Sequence, residues 1–160
     1  MKIDLIEISK INSKKKLKKY SLNKPIFLEN YLFHYLILAN NLRGLKLYKF
    51  PIYKINSNDE NGFHLAAKNK NYKILSYLID EYPDYIYNLN FNNENFMHLC
   101  DPEDDQYLNL ILKKNIDWKN IMLQYSKDSI CPLDILFSNA NNSKIVKIIT
   151  KIKFDYNNYL

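Results

Sequence analysis

The chain has 160 residues, 47% hydrophobic and 14% aromatic, a composition that suits one packed core and argues against disorder. Its two cysteines, Cys100 and Cys131, stand 31 residues apart in no CxxC pattern, so neither a disulfide framework nor a zinc site is expected. The net charge of +6 is concentrated: residues 1–24 hold eight lysines and two acids, whereas residues 25–160 hold 15 basic and 15 acidic residues and balance to zero, without the electrostatic footprint of a nucleic-acid binder.

The N-terminal stretch MKIDLIEISK places Asp4 and Glu7 among its apolar positions, which a signal peptide does not do. No apolar run approaches the roughly 20 residues of a membrane span. An intracellular protein, in cytoplasm or nucleus and without a membrane partner, is therefore expected. The run KKKLKK comes next, with Lys14, Lys15, Lys16, Lys18 and Lys19 as candidate contacts for a polyanion. It also reads as a solvated helix face, and the lack of interleaved aromatics beyond Tyr20 favours that second reading. Residues 1–28 are expected to form a basic segment that caps the remainder of the chain.

From residue 29 onward the chain repeats itself. His34 lies in LFHYLILANN, His64 in GFHLAAKNKN and His98 in FMHLCDPEDD, while Asp134 takes the same place in PLDILFSNAN; the intervals are 30, 34 and 36 residues. All three histidines of the chain share this phase. After each comes a polar break, seen in Asn40-Asn41, Lys70-Asn71 and Asn141-Asn142, and then an apolar helix. YKILSYLI (72–79) and SKIVKIIT (143–150) have apolar residues at i, i+1, i+4 and i+5, one face of a helix, and YLNLILKK (107–114) fits the same place. Polar turns are predicted at NIDWKN (115–120) and KFDYNN (153–158). The unit is a short helix, a tight turn, a longer helix and an extended loop, and the spacing divides the chain at about 29–58, 59–92, 93–128 and 129–160.

This unit resembles the ankyrin repeat, whose pattern runs TPLHLAA, a turn, a helix such as EIVKLLL, and GADVN. FHLAA (63–67), IVKII (145–149), NIDWKN and KFDYNN match it in order and phase. The resemblance implies an all-α solenoid in which His34, His64 and His98 are structural, each bridging the backbone of neighbouring loops. Asn61 and Asn95 stand where the family has threonine and serve equally well as helix N-caps; Cys131-Pro132 replaces Thr-Pro, with proline suited to the first helical turn. With only two glycines in the chain, Asn40, Asn115 and Asn141 are expected to take the left-handed turn positions. Pro102 and the acids of DPEDD crowd the first helix of the third unit. The abundance of Asn, Lys, Ile and Tyr points to an AT-rich genome, such as that of a large DNA virus.

Catalytic and metal-binding readings fare poorly. Equivalent residues of stacked repeats sit roughly 10 Å apart, the spacing of packed helices, and cannot share one zinc. Counted from Asp101, DPEDDQ lacks the glycine and glutamate of a calcium loop; its acids suit a helix N-terminus instead. No cofactor is implied. The expected function is non-enzymatic binding of a protein partner, as an adaptor or scaffold, directed at a host if viral. The alternative is a nucleic-acid-associated or virion structural protein acting through Lys14–Lys19. By position, the partner contacts are Asn58, Asp59, Glu60, Asn92, Asn93, Glu94 and Lys127 at loop tips, with Lys68, Asn69, Asp101 and Asp104 on the inner face. The dense apolar face of helix 143–152, followed by Phe154, Tyr156 and Tyr159, predicts a contact there with a further repeat, a second copy or another protein.

Overall fold

The computed structural model describes residues 4–20, 24–26 and 29–152. Within them the chain is all-helical, with no strand. Helices α1 (Leu5–Ser9) and α2 (Lys14–Leu17) lead into α3 (Leu32–Leu38), α4 (Leu42–Leu45), α5 (Gly62–Lys68) and α6 (Tyr72–Glu81). Beyond these lie α7 (Asp105–Lys113), α8 (Trp118–Met122), α9 (Pro132–Asn139) and α10 (Asn142–Ile152), with two 3-10 turns at Pro83–Tyr85 and Phe96–Leu99.

These elements pack in two rows. Along the first, α1 rests on α3, α3 on α5, α5 on the Phe96–Leu99 turn, and that turn on α9. Along the second, α6 rests on α7 and α7 on α10, while α4 packs on α3 and its Leu42 faces Lys73 of α6 across a groove. Ile74, Leu75, Leu78 and Ile79 of α6 are buried between the rows, and Ile145, Ile148, Ile149 and Ile152 of α10 likewise. Each group is one helical stripe, and its removal from water is the main force joining the rows.

The N-terminal segment belongs to the same core. Ile8, Ile11 and Leu17 are buried with the rest. Asn41 fastens them: its Nδ2 donates to the carbonyls of Ile8 (2.8 Å) and Ile11 (2.9 Å), while its Oδ1 caps α4 by accepting from Gly44 (2.8 Å). Asn71, one segment on, donates to the Ile37 carbonyl at 2.7 Å but does not cap α6 with its side chain. Gly44 is required for this closeness, since a Cβ there would lie 2.6 Å from Leu36 Cδ2 and 2.9 Å from Asn41 Nδ2.

Left-handed backbone occurs at Glu29, Asn40, Asp59, Lys70, Asn93 and Ser129. Asn40 is as expected, but Asn115 and Asn141 are not among these; the loop tips carry most of the left-handed residues instead. Four of the six, Glu29, Asp59, Asn93 and Ser129, fall five residues before His34, His64, His98 and Asp134.

Several expectations need correction. NIDWKN is not a simple turn: Asp117 caps α8 by accepting from Asn120 (3.2 Å), because burying Trp118 at the start of a helix outweighs the polar character of its neighbours. The first helix of the third segment shrinks to the single turn Phe96–Leu99 and Cys100 is already extended, while Pro102 keeps the preceding Asp101 out of helical conformation. The apolar face of α10 is not left open, since its four isoleucines are buried and Val146, at 61% exposed, is its one large exposed apolar side chain. Lys144 ties the start of α10 to the preceding segment: it pairs with Asp105 at 3.0 Å and donates to the Glu103 carbonyl. Phe154, Tyr156 and Tyr159, and the turn at KFDYNN, lie outside the described residues.

Replacing Asn41 by alanine removes a cap and strands two buried carbonyls of the N-terminal segment. The expected loss is about 2–3 kcal/mol by urea denaturation. An Asn41→Ala protein with unchanged stability would show that α1 is not held in this way.

Candidate functional site

The histidines sit at the start of short helices and face two ways. Each Nδ1 accepts the backbone N–H of its own N-cap residue: Tyr31 to His34 at 3.0 Å, Asn61 to His64 at 3.2 Å and Asn95 to His98 at 3.1 Å. Asp134 imitates them, its Oδ2 accepting from Cys131 at 2.8 Å. Each Nε2 then reaches into the next segment, donating to the carbonyls of Lys54 (3.2 Å), Glu94 (3.0 Å) and Ile130 (3.1 Å). A carbonyl only accepts, so the proton of the neutral ring is on Nε2. Burial lowers all three pKa values, at His34 to about 4, against smaller opposing effects from the bonded carbonyls and nearby Glu60 and Glu94.

Two loops share one construction, and the second of them receives the His64 bond through Glu94 O. Asn56 Oδ1 accepts from the N–H groups of Asn58 (2.9 Å) and Glu60 (3.0 Å), and its Nδ2 donates to Glu60 Oε2 at 3.1 Å. Asn90 repeats this with Asn92 (2.9 Å), Glu94 (3.0 Å) and Glu94 Oε2 (2.8 Å). The main chain closes each loop, through Asn56 N–H to Glu60 O at 3.0 Å and Asn90 N–H to Glu94 O at 2.9 Å. Successive tips are joined directly, Phe91 N–H to Asn58 O at 3.5 Å and Lys127 N–H to Asn92 O at 2.9 Å. The tips thus form one continuous edge.

On that edge stands Phe91, 65% exposed, with Lys127 Nζ 3.8 Å from its ring centroid. Beside it opens a cleft of about 460 Å³, lined by Asn58, Glu60, Lys68, Phe91, Asn92, Glu94 and others. Five of the residues selected from sequence, Asn58, Glu60, Lys68, Asn92 and Glu94, are therefore brought together. Asn58, Asn92, Asn93 and Lys127 are exposed and Asp59 is half-buried.

Glu60 is a different matter. Its side chain is 6% exposed and its second oxygen binds Lys68 Nζ at 2.9 Å. Burial alone would raise its pKa, but the Lys68 ammonium and the Asn56 amide bring it below the ordinary carboxylate value. It locks the loop and is spent on that role. Asn69 is exposed and bonds back to Leu65 O at 2.8 Å. Asp101 pairs with Lys70 at 2.7 Å and Asp104 caps α7 by accepting from Gln106 at 2.8 Å, both away from the cleft. Among the described residues no three His, Cys, Asp or Glu side chains are placed to hold a metal ion. None of the described helices is long and apolar enough to cross a membrane.

Sequence reasoning passed over Asn56, Asn90 and Phe91. The signal was present: NSNDEN (56–61) and NFNNEN (90–95) share the pattern Asn-x-Asn-x-Glu-Asn, 34 residues apart. The five lysines of KKKLKK are all exposed around buried Leu17, and Lys16 Nζ donates to Lys10 O at 3.0 Å. Compared with known proteins, the chain matches no family model and no curated sequence.

The rings make stability depend on pH and on their caps. A histidine whose folded pKa is depressed stabilises the fold fully above its unfolded value of 6.5 and loses that contribution as the pH falls toward the folded value. For His34 the window runs from 6.5 to about 4 and the loss is on the order of 3 kcal/mol. A melting temperature that stays level from pH 7 to pH 4 would refute this. The cap of His64 offers a second test. Asn61 Nδ2 is buried without a partner among the described residues, and Asn61 Oδ1 lies 2.9 Å from His64 Nδ1, where neither atom has a proton to give. A threonine hydroxyl both accepts from the helix and donates to Nδ1, so Asn61→Thr should hold or gain stability, by about 1 kcal/mol. His64→Ala should instead lose about 1–3 kcal/mol.

Proposed function

We propose that the chain is an ankyrin-like repeat solenoid whose function is to bind another protein, with no chemistry of its own. One observation carries this reading. The histidines recur five residues after the left-handed loop tips, and His64 and His98 each bridge to the residue that follows the next tip, Glu94 after Asn93 and Ile130 after Ser129, while His34 reaches Lys54, five residues before the tip at Asp59. Units that touch only their neighbours build an extended edge, and such edges serve as binding surfaces. The roughly four units begin near residue 29, and α1 and α2 shield the first of them as a cap.

The binding edge runs along the tips, through Asn58, Asp59, Asn92, Asn93 and Lys127, with Phe91 as its apolar centre. Aromatic side chains anchored among polar groups dominate the energetics of such contacts. Phe91→Ala combined with Lys127→Ala removes the ring and its cation without touching the core. Captured from cells of its source and identified by mass spectrometry, the partner of the wild-type chain should be lost from the double variant while the melting temperature is unchanged. Capture that survives the double variant would move the site elsewhere.

A second reading, contact with nucleic acid or another polyanion, draws support from the exposure of Lys14, Lys15, Lys16, Lys18 and Lys19 around one helical turn. Exchanging these five for glutamine leaves Leu17 in place. Elution from heparin at a clearly lower salt concentration is expected if this segment carries the affinity. Unchanged elution would remove this reading.

A further inference from the structure

Residues 25–160 have no net charge, yet folding sorts that charge. Lys46 at the end of α4, Lys73 on α6, and Lys113 and Lys114 at the end of α7 line two adjoining grooves of about 520 and 400 Å³ on either side of α6. Lys46, Lys73 and Lys113 are exposed. The carboxylates that face the same grooves are Asp80 and Glu81. Asp80 is neutralised by Lys114 at 2.5 Å, and Lys46 Nζ lies 5.2 Å from the Tyr77 ring centroid. Among the described residues Lys73 and Lys113 have no ion-pair partner, so cations exceed Glu81, the one groove carboxylate that Lys114 does not neutralise. On the far side of α7, Lys144 is already taken by Asp105.

We propose that this outer-helix face is a second binding surface, separate from the loop tips, and that it takes an acidic segment of a protein. Charge complementarity sets the sign of the partner. The groove walls set its class. Half-buried Leu42 and the aliphatic stems of Lys73 and Lys113 offer apolar contact, and Ser76, Gln106 and Asn109 offer hydrogen bonds, as an amphipathic peptide requires. A nucleic-acid strand would need stacking rings and an unbroken cationic track. Tyr72 is buried, Tyr77 lies beneath Lys46, and Glu81 interrupts the track. Lys46, Lys73 and Lys113 stand 27 and 40 residues apart in sequence, which is why net charge by segment conceals the patch.

The probe is an amphipathic peptide of about fifteen residues, glutamate on one face and leucine on the other, titrated into the isotope-labelled full chain and followed by amide NMR. Shifts are expected at residues 73–77 and 106–114, weakening with salt. Lys73→Glu with Lys113→Glu should reduce affinity about tenfold or more. Both side chains are exposed and outside any ion pair of the described residues, so the melting temperature should hold; Lys73→Gln with Lys113→Gln, a milder pair, should weaken binding in the same direction. Phe91→Ala should leave the peptide affinity unchanged, which separates this surface from the loop-tip reading. The proposal is overturned if the peptide does not bind, if its shifts map to α2 or the loop tips, if exchanging its glutamates for glutamines leaves affinity intact, or if single-stranded oligothymidylate displaces it from the same residues.

Discussion

The structure depends on a neutral imidazole held between two backbones. Each of His34, His64 and His98 accepts from the N-cap of its own helix and donates to a carbonyl of the following loop. The helices joined in this way are short, and helices of this length are marginal on their own. No sheet ladder supplies long-range order among the described residues. Order between segments therefore rests on apolar burial, which is strong but undirected, and on these bridges, which fix the register. Protonation of Nδ1 removes an acceptor, and burial makes that costly. Asp134, last in the series, keeps only the local half of the arrangement, accepting from Cys131.

The loop at residues 90–94 receives the His64 bridge, and the loop at residues 56–60 has the same construction. Asn56 and Asn90 fold the chain back on itself, and Glu60 and Glu94 close it, so the carbonyl of residue 94 is presented at a fixed place. Rigid tips reduce the ordering cost of binding, because their conformation is set before a partner arrives. That is the physical basis for assigning recognition to this edge. Phe91 supports the assignment, since a side chain so exposed adds little to the core and its ring is held by Lys127.

Charge is arranged across segments as well as within them. Lys114 with Asp80, Lys144 with Asp105, and Lys70 with Asp101 each join residues more than 30 positions apart. Surface pairs of this kind contribute little stability individually. Only the Lys114–Asp80 pair lies on the α4–α6–α7 face, where Glu81 then stands as the one unneutralised groove carboxylate against Lys46, Lys73 and Lys113. The edge of loop tips and the face of outer helices consequently differ in chemistry, one rich in amides with an aromatic centre, the other cationic.

Much of this was legible in the amino-acid sequence because its causes are local. The helical class comes from apolar spacing within a turn or two, as in YKILSYLI and SKIVKIIT. The caps at Asn61 and Asn95 and the proline opening α9 act on atoms two or three residues away. The common phase of the histidines needs only counting. Local spacing therefore yields the period, most helix starts and the residues that mark them. The tertiary structure alone decided the rest. Trp118 opens a helix within NIDWKN because its side chain is buried in the core. Glu60 is withdrawn from the surface because Lys68 and Asn56 enclose it. Three lysines scattered over α4, α6 and α7 become one patch because those helices lie side by side. Burial and charge clustering depend on which distant residues meet, and a single linear sequence read locally contains the spacing of its parts but not their contacts.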